Sequence, residues 1–230
     1  MRLSHEPKKR IDMTTKERIL EAACRAFAER GFKETTIATI CREAEANIAA
    51  VNYYFGSKEK LYEAVWEYAT AQAEEIYGPD DQGETPEEWL RRHSRNLVMM
   101  IFDEGPGGWI PRLIRRDIDI EMEGELMENI RSRFLEPHRQ QLEKAVASIL
   151  NRDPASFAVR CVTSHIHAMC IFLNIKMKFR RHIFGVERPD SREIEFLIKS
   201  MQEFIKGGIE QVRSALKSGE LSEINLEGNK

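Results

Sequence analysis

Three capping boxes constrain what this chain can fold into. Thr14, Thr85 and Asp190 each stand three residues before a glutamate (Glu17, Glu88 and Glu193), and each pair opens an apolar pattern of helical period. In such a box the first side chain accepts from the backbone N–H three residues on, and the glutamate reaches back to the first residue's N–H, so two orphan donors of a helix start are satisfied together. After Thr14, the residues Ile19, Ala22, Ala23, Ala26 and Phe27 recur at i, i+3, i+4, i+7 and i+8 as one apolar stripe, until Gly31 supplies a C-terminal stop. After Thr85, Pro86 occupies the first helical position, where its missing N–H costs nothing. No alternating strand pattern and no internal repeat competes, so the expected fold is all-α.

Shorter punctuation fills the gaps. Thr35 or Thr36 caps a second helix with Ile37, Ile40, Cys41 and Ala44 inward; Asn47 caps a third with Ile48, Val51 and Phe55 inward. Ser57 caps a fourth that runs through Leu61, Val65 and Tyr68 toward Gly78-Pro79. Further helices are expected over 85–103, over 109–117 after the break at Gly105-Pro106-Gly107-Gly108, and over 123–151 with a bend near Pro137. Two more are expected from 154 to about 180 behind Asp153-Pro154, and over 191–217 behind Asp190.

A chain of 230 residues with 42% apolar content can bury a sizeable core. Residues 1–13 mix charge with apolar residues without an apolar run and read as a flexible arm rather than a secretion signal. No stretch has the length of a bilayer span, so no membrane partner is expected. Cys24, Cys41, Cys161 and Cys170 lie within helical patterns at spacings that match no zinc knuckle or disulfide scaffold, as suits reduced thiols in a cytoplasm. The net charge of −3 is uneven: residues 1–62 hold 12 Lys and Arg against 9 Asp and Glu, and the rest 23 against 29. A basic end on an acidic body suggests a polyanionic partner there, and uneven solvated faces are the plain alternative.

The third helix is the most informative. With one face inward, it turns Ala49, Ala50, Asn52 and Tyr53 outward, a surface of small and hydrogen-bonding side chains. A helix entering the major groove of DNA needs small residues where its backbone approaches the duplex, an amide to pair with base edges, and hydroxyls to reach phosphates. Tyr53 and Tyr54 suit the last role, with Tyr54 divided between contact and packing, and Lys58 adds a cation beside a helix N-terminus.

The stretch ERILEAACRAFAERGFKETTIATICREA followed by YYFGSKEKLYEAV resembles the DNA-binding domain of the TetR/AcrR family of bacterial transcriptional regulators. Phe27, Gly31, Thr35, Thr36, Tyr54, Phe55, Gly56, Ser57, Lys58 and Leu61 stand at the family's pattern positions, and the run NIAAVNYYFGSKEKLY is similar to the subgroup with a CecR-like C-terminal domain. Two departures stand out. The helix-turn-helix turn is Ala44-Glu45 rather than Ala-Gly, which puts a residue with a Cβ in a left-handed conformation at about 1 to 2 kcal/mol. The usual tyrosine of the recognition helix is Asn52, able to bond adenine N6 and N7 together.

The resemblance implies a ligand-responsive regulator, a repressor released from double-stranded operator DNA by a small-molecule inducer, with no cofactor. Thr36, Asn47, Ala49, Ala50, Asn52, Tyr53, Tyr54 and Lys58 are its DNA-contacting candidates. It divides the chain into an arm (1–13), a helix-turn-helix domain (14–62), a helical ligand-binding and dimerisation domain (63–218) and a tail (219–230). A homodimer is implied, formed by the C-terminal helices, and the broad stripe Ile194, Leu197, Ile198, Met201, Phe204, Ile205 and Ile209 can serve both a subunit core and a partner. Gly207-Gly208 costs helix propensity unless two backbones approach there.

Candidates for an inducer pocket are Met99, Phe102, Trp109, Arg112, Ile166, His167, Cys170, Phe172, Asn174 and Lys178, an apolar set with few polar groups. A Met and aromatic stripe at helical spacing is more often plain core. Cys161, His165 and Met169 at i, i+4 and i+8 permit a soft-metal sensor without completing one. An enzyme using His93, His165, His167, Cys161 or Cys170 lacks any accompanying phosphate loop or nucleophile elbow. A helical protein-interaction adaptor is the remaining alternative.

Overall fold

The computed structural model describes residues 13–78, 83–118, 124–174, 181, 182, 185, 189–222 and 224. Among these it is all-helical: α1 Thr15–Glu34, α2 Ile37–Ala44, α3 Ile48–Phe55, α4 Lys58–Tyr77, α5 Pro86–Phe102, a 3-10 turn Pro106–Gly108, α6 Trp109–Ile118, α7 Glu125–Ile130, α8 Glu136–Leu150, α9 Phe157–Leu173 and α10 Ser191–Ser218. All three capping boxes form; at Thr14 the Glu17 N–H donates to Thr14 Oγ1 (3.2 Å) and the Thr14 N–H to Glu17 Oε2 (2.8 Å).

Local departures have local causes. Gly31 interrupts α1 at φ +80°, a conformation that a Cβ would oppose, and one further helical turn follows it. Thr36, not Thr35, caps α2, accepting from the Thr39 N–H at 3.2 Å. Thr35 is fully buried and its hydroxyl closes the Gly31 break, within bonding distance of the Gly31 carbonyl (2.7 Å) and the Ala26 carbonyl (3.1 Å). At the position expected to bend, near Pro137, stands a π-helical segment, Arg131–Leu135, directly before α8. Such widened turns accommodate a proline ring and the N–H it lacks. α9 starts three residues later than expected. Asp153 Oδ1 accepts from the Ala155 N–H (2.7 Å) and the Ser156 N–H donates to the Asp153 carbonyl (3.0 Å), which makes a turn of 153–156. The end expected for this helix near 180 lies outside the described residues.

Two hydrophobic cores result. The first joins α1, α2, α3 and α4 but also takes in Trp109 and Leu113 of α6 and Ile130 of α7. Its centre is aromatic: Phe27 meets Tyr62 edge-on at 4.8 Å, Phe32 meets Tyr62 at 5.0 Å, and Trp66 stacks on Phe134 at 6.0 Å. Phe27, Tyr62 and Trp66 are each at most 1% exposed. Burial on that scale contributes about 1.5 to 3 kcal/mol per side chain. The second core packs Leu90 and Val98 of α5, Leu142, Val146 and Leu150 of α8, Val159, Ile166 and Cys170 of α9, and Ile198, Met201, Ile205 and Ile209 of α10.

The seam between the cores is polar and closely fitted. Tyr77 at the end of α4 donates its hydroxyl to Asp103 Oδ2 (2.9 Å), and Asn96 Nδ2 donates to the Tyr77 carbonyl (2.6 Å). A Cβ on Gly107 would overlap Asp103 Oδ2 and Tyr77 Cε2, side chains that would have to move, and one on Gly108 would overlap the Asp103 carbonyl, so the turn before α6 requires glycine at 108.

Candidate nucleic-acid interface and ligand-domain sites

The α2–α3 pair forms a helix-turn-helix. Glu45 turns the chain in the left-handed region at φ 52° and ψ 46°, and the Ala46 N–H donates to the Cys41 carbonyl at 3.0 Å. Asn47 then starts α3, its Oδ1 accepting from the Ala50 N–H at 2.8 Å. Two expectations for α3 are corrected. Ile48 is 54% exposed rather than inward, and Ala50 is half-buried against the first core rather than outward. In a two-turn helix the sequence spacing sets angular position but not depth along the axis. Val51 carries the inward face at 1% exposure, with Phe55 half-buried beside it.

The outward face presents Ala49, Asn52 and Tyr53, the last 83% exposed. Tyr54 is 41% exposed, its ring edge-on to Tyr53 at 5.1 Å. Asn47 is exposed although its side-chain oxygen serves the cap, and the Thr36 hydroxyl is shared with Thr39 Oγ1 at 3.0 Å. Lys58 is half-buried, with Nζ 4.4 Å from the centre of the Phe32 ring, and loss of water around the ammonium lowers its pKa. A cation over an aromatic face is held in a defined direction at the N-terminus of α4.

The ligand-domain candidates do not gather in one place. Trp109 packs into the first core against Tyr68, 5.8 Å between centroids, whereas Met99, Phe102, Ile166 and Cys170 belong to the second. Arg112 binds its own turn, donating to the carbonyls of Gly105 (2.6 Å), Gly108 (2.8 Å) and Glu104 (3.2 Å). Asn174, 9% exposed, donates through Nδ2 to the Pro111 carbonyl at 2.6 Å and so ties the end of α9 to α6. His167 is half-buried and Phe172 is 47% exposed; Lys178 lies outside the described residues. Among the described residues no group of three or more His, Cys, Asp or Glu is arranged to hold a metal.

The family model of bacterial regulatory proteins of the tetR type matches residues 19–65, and that of the C-terminal domain of the HTH-type transcriptional dual regulator CecR matches 86–209, more than half of the chain. The chain belongs to the TetR family, with a C-terminal domain of the CecR type. It is 36% identical over 97 residues to the HTH-type transcriptional repressor NicS of Pseudomonas putida, covering 39% of this chain and 41% of that one. It is 32% identical over 101 residues to CecR of Shigella flexneri, covering 39% and 45%. The matched stretches thus span less than half of each relative's length. Among solved structures, AibR in complex with isovaleryl coenzyme A and operator DNA superposes with a TM-score of 0.62 at 20% identity, covering 82% of this chain and 96% of AibR, which is a likeness of fold.

This TetR-family chain holds two groups that motif reading missed. Arg18, half-buried on α1, donates Nε to the Ala44 carbonyl of the helix-turn-helix turn (3.2 Å). His93 of α5 lies between Trp89, stacked at 4.5 Å, and His138 of α8, at 4.7 Å. Its Nε2 is buried and has no hydrogen-bond partner among the described residues. Burial pushes the His93 pKa well below the ordinary value, and His138, His167 and Arg92 push the same way. His138, which keeps an exposed edge, and His167 are lowered too, first by desolvation and then by His167 and Arg139 respectively. Only the i, i+4 spacing of Trp89 and His93 hinted at this group, because His138 comes from a distant helix.

Proposed function

We propose that this chain is a DNA-binding transcriptional regulator that responds to a small molecule, acting as a repressor released from its operator in the cytoplasm. The observation that carries the reading is the outward face of α3. Ala49, Asn52 and Tyr53 are exposed on a short helix that the Asn47 side chain caps at its start and Gly56 closes, its N–H donating to the Asn52 carbonyl at 3.0 Å. Small residues permit close approach, Asn52 offers a paired donor and acceptor to a base edge, and the Tyr53, Tyr54 and Lys58 groups suit phosphates.

A homodimer supplies the second recognition helix. Phe172 of α9 (47% exposed) and Phe196 and Phe204 of α10 (71% and 76% exposed) lie outside the second core, while Ile198, Met201, Ile205 and Ile209 fill it. Among the described residues a Cβ at Gly207 or Gly208 would meet nothing within 4 Å, so no neighbour there calls for glycine. Both features support a partner helix on this face.

The inducer reading places the small molecule in the C-terminal domain among Met99, Phe102, Ile166, His167 and Cys170, with Trp109, Arg112 and Asn174 on the α6 side that leads to the DNA-binding core. The test is selection of bound duplexes from a randomised pool, followed by titration of the selected duplex at several salt concentrations and a compound screen for release. Affinity that falls linearly in log salt supports the reading, since each neutralised phosphate adds about 0.9 to the slope. Failure to enrich any duplex rejects it in favour of a protein-interaction adaptor.

A further inference from the structure

The left-handed residue of the helix-turn-helix turn sets the angle between α2 and α3, and here it is Glu45, at φ 52°, rather than glycine. The turn's own bonds converge on one acceptor: the Cys41 carbonyl takes the Ala46 N–H at 3.0 Å and the Glu45 N–H as well, which also reaches the Arg42 carbonyl at 3.4 Å. The last carbonyls of a helix lack intrahelical donors. That of Ala44, a residue 1% exposed, receives Arg18 Nε at 3.2 Å from across the domain. The same guanidinium donates Nη1 to the Met13 carbonyl (3.3 Å) and Nη2 to Thr15 Oγ1 (3.4 Å), so one planar group joins the entry to α1 with the exit from α2. All three acceptors are neutral, and a cation at the C-terminus of α2 also suits the helix dipole.

We infer that Arg18 is a positioning residue for DNA recognition, a clasp on the Ala44 carbonyl that holds the turn at Glu45 and thereby the stance of α3. The inference rests on the DNA-binding reading for its functional half and on the fold alone for its structural half. Glycine enters the left-handed region freely, so a glycine turn depends less on an external clasp. Lysine cannot reproduce the fork that reaches three acceptors at once.

The experiment uses the full chain and a labelled duplex selected by the wild type from a randomised pool. Arg18→Gln, Arg18→Lys, Glu45→Gly and the double variant Arg18→Gln/Glu45→Gly are measured for duplex affinity at several salt concentrations, well below their melting temperatures, and for thermal unfolding without DNA. Arg18→Gln should weaken binding about tenfold, the loss expected for a charge-assisted bond, with Arg18→Lys between it and the wild type. The slope of log affinity against log salt should stay that of the wild type, and Glu45→Gly should recover most of the loss. A slope lowered by about 0.9 with no recovery would make Arg18 a phosphate contact and overturn the inference. So would a lower melting temperature with unchanged affinity. If the wild type enriches no duplex, the DNA-binding reading fails by itself. The clasp is then judged by unfolding: Arg18→Gln should cost less in the Glu45→Gly background than in the wild type, and equal losses overturn it.

Discussion

The buried His93 makes stability depend on pH in a window set by its environment. Its ring is held between Trp89 at 4.5 Å and His138 at 4.7 Å, with Nε2 unpartnered among the described residues, and its pKa is well below the ordinary value because burial disfavours the charged ring. The unfolded chain takes up this proton near pH 6.5, whereas the folded chain stays neutral. The unfolded state therefore binds more protons below pH 6.5, and stability falls as the pH drops through that value toward the folded pKa. The slope is about 1.4 kcal/mol per pH unit for the buried His93; half-buried His167 is shifted the same way and adds less, and the exposed His138 adds least because water screens it. Glu84, Glu88 and Asp190, held below their ordinary values by their hydrogen bonds, act only in a more acid range. Urea unfolding at fixed protein concentration between pH 7.5 and 5.0 isolates the histidine effect. His93→Phe keeps the ring stacked on Trp89 and removes the orphan nitrogen, whose burial costs about 1 to 3 kcal/mol. The variant should be at least as stable as the wild type at pH 7.5 and lose about 1.4 kcal/mol less per unit on acidification. Identical slopes for the two proteins would refute the assignment of a neutral, buried His93.

On a selected duplex, Asn52→Ala should relax base preference by about 1 to 3 kcal/mol, while Tyr53→Ala and Lys58→Ala should weaken all sequences alike; wild-type affinity in all three would move the recognition surface off α3. Phe204→Glu should yield folded monomers in sedimentation, because this 76% exposed ring lies outside the subunit core, and a folded dimer would place the interface elsewhere. Gly107→Ala should cost about 1 to 3 kcal/mol in unfolding by forcing Tyr77 and Asp103 apart, and a neutral result would show that the seam gives way freely. A compound that releases DNA must lose affinity for the protein by the same factor when operator is present, typically about 1 to 3 kcal/mol of coupling, and equal affinities would exclude it as an inducer.

The sequence by itself determined the helices, because their signals are local. The boxes at Thr14, Thr85 and Asp190 and the caps at Asn47 and Ser57 all act within a few residues of chain, and each is realised in the structure, whereas Gly31 interrupts α1 without ending it. The exposed Asn52 and Tyr53 were legible for the same reason, and the left-handed Glu45 followed from the family resemblance rather than from a local signal. Tertiary structure decided what periodicity leaves open, namely depth and partnership. Ile48 has the angle of a core residue on α3 but is 54% exposed, since spacing fixes angle around a helix and not distance along it. Trp109, Arg112 and Asn174 resemble pocket residues in sequence, yet Trp109 enters the core of the helix-turn-helix domain, Arg112 binds its own turn and Asn174 reaches Pro111 across 63 residues. The Arg18 clasp on Ala44 spans 26 residues, and the His93–His138 contact joins two helices. Such contacts depend on how helices pack, and the energy that selects one packing is a sum over the whole core, which no single stretch of chain contains.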